Sequence, residues 1–152
     1  FDIVELTGDV IDQLEDKAKK RKIQLKLQRD IKQPIWVHAD QSRIEQVLTN
    51  LLNNAVKYGN KDGGKVEIRF FDMHENILVE IGDDGLGIPE SDIPRVFERF
   101  YRVDKSRARD AGGTGLGLAI VKHIVDAHAQ TINVRSAEDV GSTFSFTLKK
   151  AQ

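Results

Sequence analysis

The glycines of this chain are not spread evenly: of twelve, three lie within residues 82–87 and four within 112–117. Clustered glycine marks backbone that takes special turns or lets another group approach closely. The first window, Gly82-Asp-Asp-Gly-Leu-Gly87, follows an alternating apolar run. The second, Gly112-Gly-Thr-Gly-Leu-Gly117, runs straight into an apolar helical pattern. The fold must therefore present one glycine loop after a strand and one before a helix.

The rest of the chain supplies the frame. Asp2–Leu6 reads as a short extended segment, and 9–21 as an amphipathic helix with Val10, Ile11, Leu14 and Ala18 on one side and a basic last turn. Ile23, Leu25 and Leu27 alternate, so 23–29 reads as a strand; Ile35–Ala39 is a second extended piece after Pro34. Asp40 is a good N-cap for a helix over 41–58, which Gly59 ends. Val66, Ile68 and Phe70, then Ile77, Val79 and Ile81, predict a hairpin. A charged loop over 102–113, a helix over 116–128 and strands over 131–136 and 142–149 complete the order. The expected fold class is α+β in two layers, with a mixed, mostly antiparallel sheet and helices on one face.

Composition narrows the function classes. The 152 residues are 39% apolar and 31% charged, enough for one core and too apolar for a disordered chain. No apolar run approaches the roughly 18 residues of a membrane span, and the N-terminus does not resemble a signal peptide. The absence of cysteine excludes disulfides, Cys-ligated metals and thiol catalysis. A net charge of −1 argues against nucleic-acid binding through bulk positive charge. Residue 1 is Phe, so the chain is expected to be excised from something longer.

Three constellations carry chemistry. On helix 41–58, Asn50, Asn54 and Lys57 share the edge of the apolar arc. Amide oxygens are hard neutral ligands suited to Mg²⁺ and a lysine suits phosphate, although a solvated polar face reads the same way. Asp83 is in phase with Ile77, Val79 and Ile81, so its carboxylate heads toward the apolar layer and needs a donor such as an exocyclic amine; alternatively it caps a turn. The second glycine window at a helix start makes an anion site, and Arg102, Lys105, Arg107 and Arg109 precede it; a solvated loop is the other reading.

In chain order these features resemble the catalytic, ATP-binding domain of sensor histidine kinases. Asn50-Leu-Leu-Asn-Asn54-Ala-Val-Lys57-Tyr58 resembles the N box and Asp83-Asp-Gly85-Leu-Gly87-Ile88-Pro the first glycine box. Phe97-Glu-Arg-Phe100-Tyr-Arg resembles the F box, Gly113-Thr-Gly115-Leu-Gly117-Leu-Ala the second glycine box, and Gly141-Ser-Thr143-Phe144 the last box. Phe1–Leu6 looks like the segment after the dimerisation helices, so the resemblance covers essentially the whole chain. The stretch Phe97–Lys122 is most similar to PhoR- and WalK-like kinases of Gram-positive bacteria.

The resemblance implies the Bergerat fold shared with gyrase, HSP90 and MutL, as a single domain over 1–152 without the dimerisation and phosphoacceptor helices. It implies ATP and Mg²⁺, and transfer of the γ-phosphoryl group to a His on a separate dimerisation domain, for relay to a response-regulator Asp. A Bergerat-fold ATPase and a nucleotide-dependent protein-interaction module are the alternatives. The implied partners are the phosphoacceptor domain and a response regulator, not nucleic acid. The parent is expected to be a membrane-bound dimer with this domain in the cytoplasm, and the fragment a monomer.

The same resemblance implies roles. Asn54 is the metal ligand, Asn50 assists around metal and phosphates, and Lys57 contacts phosphate. Tyr58 and Ile88 line the pocket. Asp83 accepts from the adenine amine with Thr143 supporting it through a water, and Gly85 and Gly87 let adenine approach. Phe97 and Phe100 anchor a lid over 101–112; Gly113, Gly115 and Gly117 hinge it and offer N–H groups, with Thr114 and Leu116 beside them. Arg102, Lys105, Arg107 and Arg109 are candidates for the γ-phosphate.

Departures from the family pattern are Asp84, expected to point away from the pocket; Asp139 in place of a turn glycine; and Ala129-Gln130 in place of Gly-Gly after helix 116–128. Hydrolytic relatives carry a Glu where this chain has Asn50, which cannot take a proton, so slow hydrolysis is expected. None of His38, His74, His123 and His128 sits in a phosphoacceptor context. His123 is expected packed, His128 charged at a helix C-terminus, and His38 and His74 within strands.

Overall fold

Helix α1 spans Ile3–Lys20, so of Asp2–Leu6 only Asp2 is extended, bridging Trp36. The β-branched Ile3 and Val4 read as strand in isolation, but both are fully buried on the helix, and tertiary burial outweighs local propensity. Asp2 is the N-cap: its Oδ1 accepts the Val4 N–H at 3.0 Å and also the Ile35 N–H at 3.0 Å. The structure, a computed structural model, describes residues 1–31, 33–60, 62–102 and 115–152. Lys105, Arg107, Arg109, Gly113 and Thr114 lie outside the described residues.

Strands β1 (Ile23–Leu27) and β2 (Val37–His38) follow, then α2 (Gln41–Lys57). Asp40 caps α2 as expected, accepting the Arg43 N–H at 3.3 Å. Strands β3 (Gly64–Met73) and β4 (Asn76–Asp83) form the predicted hairpin, with Ile68 opposite Ile81 and Phe70 opposite Val79. His74 lies in its turn, at φ 69°, not in a strand. A 3₁₀ turn over Ile93–Arg95, helix α3 (Gly117–Ala127), β5 (Ile132–Ala137) and β6 (Gly141–Lys150) complete the chain.

The sheet runs β1-β3-β4-β6, with β5 and β2 paired along β6. Only β1–β3 is parallel. Val66, Ile68 and Phe70 of β3, with Phe144, Phe146 and Leu148 of β6, form the buried side of the sheet. Against them lie Ile44, Val47, Leu48 and Leu51 of α2 and Val121, Ile124 and Val125 of α3. Each fully buried side chain of this size stabilises the fold by about 1.5–3 kcal/mol. The opposite sheet face carries Glu80, only 8% exposed, which pairs with Arg135 at 3.0 Å and Arg69 at 3.8 Å.

Two ends expected to need glycine close without it. Ala129 takes φ 56°, and the Ala129 and Gln130 N–H groups donate to the Asp126 and Val125 carbonyls, closing α3 with a Schellman pattern. Asp139 takes φ 63° between β5 and β6 and donates its N–H to Leu86 O at 2.7 Å. His123 is exposed, not packed, because Ile124 and Val121 take the inward face of α3. His128 ends α3 with both ring nitrogens engaged: its Nδ1 donates to Ile124 O at 2.8 Å and its Nε2 accepts the Asp40 N–H at 3.2 Å.

Candidate functional site

A cavity of about 530 Å³ opens between α2, α3 and the end of β4, within the size range of small-molecule sites. Helix α2 presents a polar column into it: Gln46, Asn50, Asn53, Asn54 and Lys57. These positions are three or four residues apart, or adjacent to one that is, so one helix edge carries them all. The sequence reading named Asn50, Asn54 and Lys57; Asn53 and Gln46 were legible by the same spacing.

Asn50 Nδ2 donates to Gly117 O at 3.3 Å, tying α2 to the first turn of α3. Gly115, Leu116, Gly117 and Leu118 line the cavity there. Among the described residues no side chain caps the N-terminus of α3, and a helix start of this kind offers its first N–H groups to an anion. A Cβ on Gly117 would meet nothing within 4 Å, so the protein itself does not require glycine at that place. Gly115 differs: at φ 78° a Cβ on it would lie 2.9 Å from the Phe100 backbone, and its carbonyl accepts the Phe100 N–H at 2.9 Å.

Asp83 closes the sheet side of the cavity. Its Oδ1 accepts two backbone N–H groups, from Gly85 at 3.0 Å and Ser142 at 3.3 Å. Among the described residues its Oδ2 receives none. Burial pushes this carboxyl above the usual carboxylate range, the two N–H groups pull it back, and the charge of Asp84 adds to the rise. Ile88, Val96 and Leu86 supply apolar wall beside it. Asp84 points away, as expected, and accepts the Lys65 N–H at 2.9 Å.

Thr143 is not beside Asp83. In the β4–β6 register it pairs with Gly82, and its Oγ1 lies 3.4 Å from where a Gly82 Cβ would be, on the side away from the cavity. The cavity residue is Ser142, one position earlier, because successive strand residues face opposite sides. Its hydroxyl meets Ser136 Oγ at 2.7 Å, and that oxygen accepts the Ile88 N–H at 2.7 Å and donates to Gly141 O at 3.0 Å. Period-two reading from buried Phe144 would have found Ser142.

The first-box glycines serve the protein's own packing. A Cβ on Gly85, which does not line the cavity, would lie 2.2 Å from Tyr58 O; one on Gly87, at φ 70°, would lie 2.0 Å from Ala137 O. Phe97 packs edge-to-face on Phe144 with ring centroids 6.1 Å apart. Phe100 is not packed inward. It is 64% exposed at φ 65°, since its backbone, not its ring, meets Gly115. Tyr58, Arg102 and Tyr101 reach the cavity, and the Tyr101 hydroxyl donates to Asp92.

The donor set suits Mg²⁺ shared with a ligand. Asn54 offers a neutral amide oxygen and makes no side-chain hydrogen bond among the described residues. Those residues hold no cluster of three His, Cys, Asp or Glu that could cage a metal. Mg²⁺ is commonly held by one or two protein oxygens plus phosphates and water. No helix among the described residues is long and apolar enough to cross a membrane.

Residues 39–152 match the histidine kinase-, DNA gyrase B- and HSP90-like ATPases. The chain is 47% identical over 116 residues to the sensor histidine kinase WalK of Bacillus subtilis, covering 75% of this chain and 19% of that protein. Among solved structures, the catalytic domain of histidine kinase ThkA superposes with a TM-score of 0.84 at 33% identity, covering 100% of this chain and 97% of that one. ThkA in complex with the response regulator TrrA gives a TM-score of 0.79 at 30% identity, over 99% of this chain and 41% of that one. Full-length ShkA in complex with AMPPNP gives a TM-score of 0.83 at 26% identity, over 99% and 31%.

Proposed function

The chain belongs to the histidine kinase-, DNA gyrase B- and HSP90-like ATPase family, and from that premise we propose that it is the Mg·ATP-binding catalytic domain of a two-component sensor kinase. The domain binds ATP, as its family does. The observation that carries the adenine end is Asp83: a half-buried carboxylate with Oδ1 held by two backbone N–H groups and Oδ2 left to accept an exocyclic amine. Ser142, not Thr143, supports it. At the other end, the α3 N-terminus, Lys57 and Arg102 receive the phosphates.

Asn54 holds the metal, with Asn50 alongside. Bound Mg²⁺ supplies charge neutralisation on the phosphates. The chain's own residues position the nucleotide and stabilise charge on the transferred group. Asn50 is occupied with Gly117 O and cannot act as a base toward water, which supports transfer over hydrolysis. The acceptor is a His nitrogen of a separate helical hairpin: a P–N bond forms, the bond to ADP breaks, and the imidazole gives up its proton. A response regulator then takes the phosphoryl group, as fits the ThkA–TrrA complex. The parent is a membrane-anchored dimer, and this domain lies on its cytoplasmic side.

The test is a calorimetric titration with a non-hydrolysable ATP analogue, with and without Mg²⁺. Mg²⁺-dependent micromolar binding is expected; no binding at millimolar nucleotide would overturn the reading.

A further inference from the structure

The edge of α1 facing α2 is fixed at two points one helical turn apart. Arg21 donates through Nε to Val56 O at 2.9 Å and through a terminal nitrogen to Lys57 O at 2.7 Å, so it holds the last carbonyls of α2. One turn back on α1, and one turn back on α2, Lys17 Nζ donates to Asn53 Oδ1 at 2.9 Å. Side chains four apart on a helix lie on one face, so the Arg21 clamp sets where the Lys17 ammonium can be. That place is the rim of the nucleotide cavity, because Asn53 lines it between Asn50 and Lys57.

The ammonium is poorly matched to that contact. It carries three donors and a full charge, and Asn53 is a neutral amide that takes one donor. Among the described residues, Lys17, Lys57 and Arg102 take part in no ion pair. Burial, with the like charges of Lys17 and Arg102, holds the Lys57 ammonium below the usual lysine range, so Lys57 senses both cations. Cations gathered without a carboxylate cost the folded chain stability, and a polyanion between them offsets that cost.

We propose that Lys17 is a third phosphate-site cation, delivered from α1 rather than from the N box, and that it favours nucleotides carrying more phosphates. This rests on the nucleotide reading above. Lys17 does not touch adenine; it acts where each added phosphate adds negative charge. Its contact with Asn53 is then a hold from which it turns to phosphate oxygen.

The test uses the 152-residue chain and the variants Lys17→Met and Lys17→Arg. Each is titrated with AMP, ADP and a non-hydrolysable ATP analogue in Mg²⁺, at low and high salt. Lys17→Met is expected to weaken the ATP analogue about fivefold, ADP less, and AMP less than about twofold. Lys17→Arg should restore most of the difference, and high salt should shrink it. Equal weakening of all three nucleotides would mean that Lys17 only braces α1 on α2, and the proposal falls. Unchanged ATP affinity in Lys17→Met, with the parent chain binding normally, overturns it alone. If the parent chain binds no nucleotide, the nucleotide reading falls and takes this proposal with it.

Discussion

Ser142 and Asp83 are register partners across β4 and β6, and the Ser142 N–H donates to the Asp83 carboxylate at 3.3 Å. The sheet itself therefore orients the carboxylate: with Gly85 it takes up Oδ1 and leaves Oδ2 to the cavity. The orientation of this carboxylate in the cavity is in this way tied to strand register.

Asp83→Asn tests that link. Asparagine keeps an oxygen for the Gly85 and Ser142 N–H groups but turns a donor toward the cavity. Affinity for an ATP analogue is expected to fall by about 1–3 kcal/mol, the cost of an unpaired buried polar group. Unchanged affinity by calorimetry would refute the adenine role.

The same variant should change stability with pH. Burial raises the Asp83 carboxyl in the folded chain. Its stabilising contribution is complete while it is protonated, below its unfolded value, and is lost as pH rises through the raised folded value. Asparagine never ionises. Asp83→Asn is therefore expected to be more stable than the parent at neutral pH, and the gain should vanish in acid. Urea denaturation across pH reads this; a gain that grows in acid would reverse the sign.

Two glycines separate ligand approach from packing. Gly117→Ala meets open space and should leave stability level or raise it by under about 1 kcal/mol, while weakening the ATP analogue. Gly85→Ala drives a Cβ onto Tyr58 O and should cost about 2–3 kcal/mol. Denaturation midpoints for the pair, beside nucleotide titrations, decide it. A Gly117→Ala chain that binds like the parent would remove the phosphate argument from that turn.

Ala129→Gly should stabilise the chain by about 1 kcal/mol, because Ala129 closes α3 at φ 56°, where a Cβ is strained. For a domain of this size that is about 2–4 °C in thermal midpoint. A lower midpoint would show that the strain is absorbed elsewhere.

The isolated chain should take no stable label from γ-labelled ATP, since none of its four histidines has a phosphoacceptor context. A helical hairpin carrying that context, added in trans, should become labelled at its His. Label on the isolated chain at a His would contradict this.

Much of the fold was readable along the chain. Asp40, the alternation of 66–70 and 77–81, and the first glycine window gave helix α2, the hairpin and the loop after β4, since capping and periodicity are local properties. Which side chains line the cavity was readable where it followed the same local spacing, as with Asn50, Asn54 and Lys57. Asp83 was legible because it keeps the phase of its strand.

What escaped was set by neighbours distant in sequence. Ile3 and Val4 are helical because packing into the core buries them. Ser142 rather than Thr143 faces the cavity because strand pairing chooses one face, and a one-residue shift reverses it. Gly85 is glycine because Tyr58 O stands behind it, and Lys17 reaches Asn53 because Arg21 clamps α1 onto α2. By itself, then, the sequence determined which elements form and which residue types could meet a nucleotide. Only the tertiary structure decided which of them share the cavity, because register, close backbone approach and charge clustering exist only once separate segments pack together.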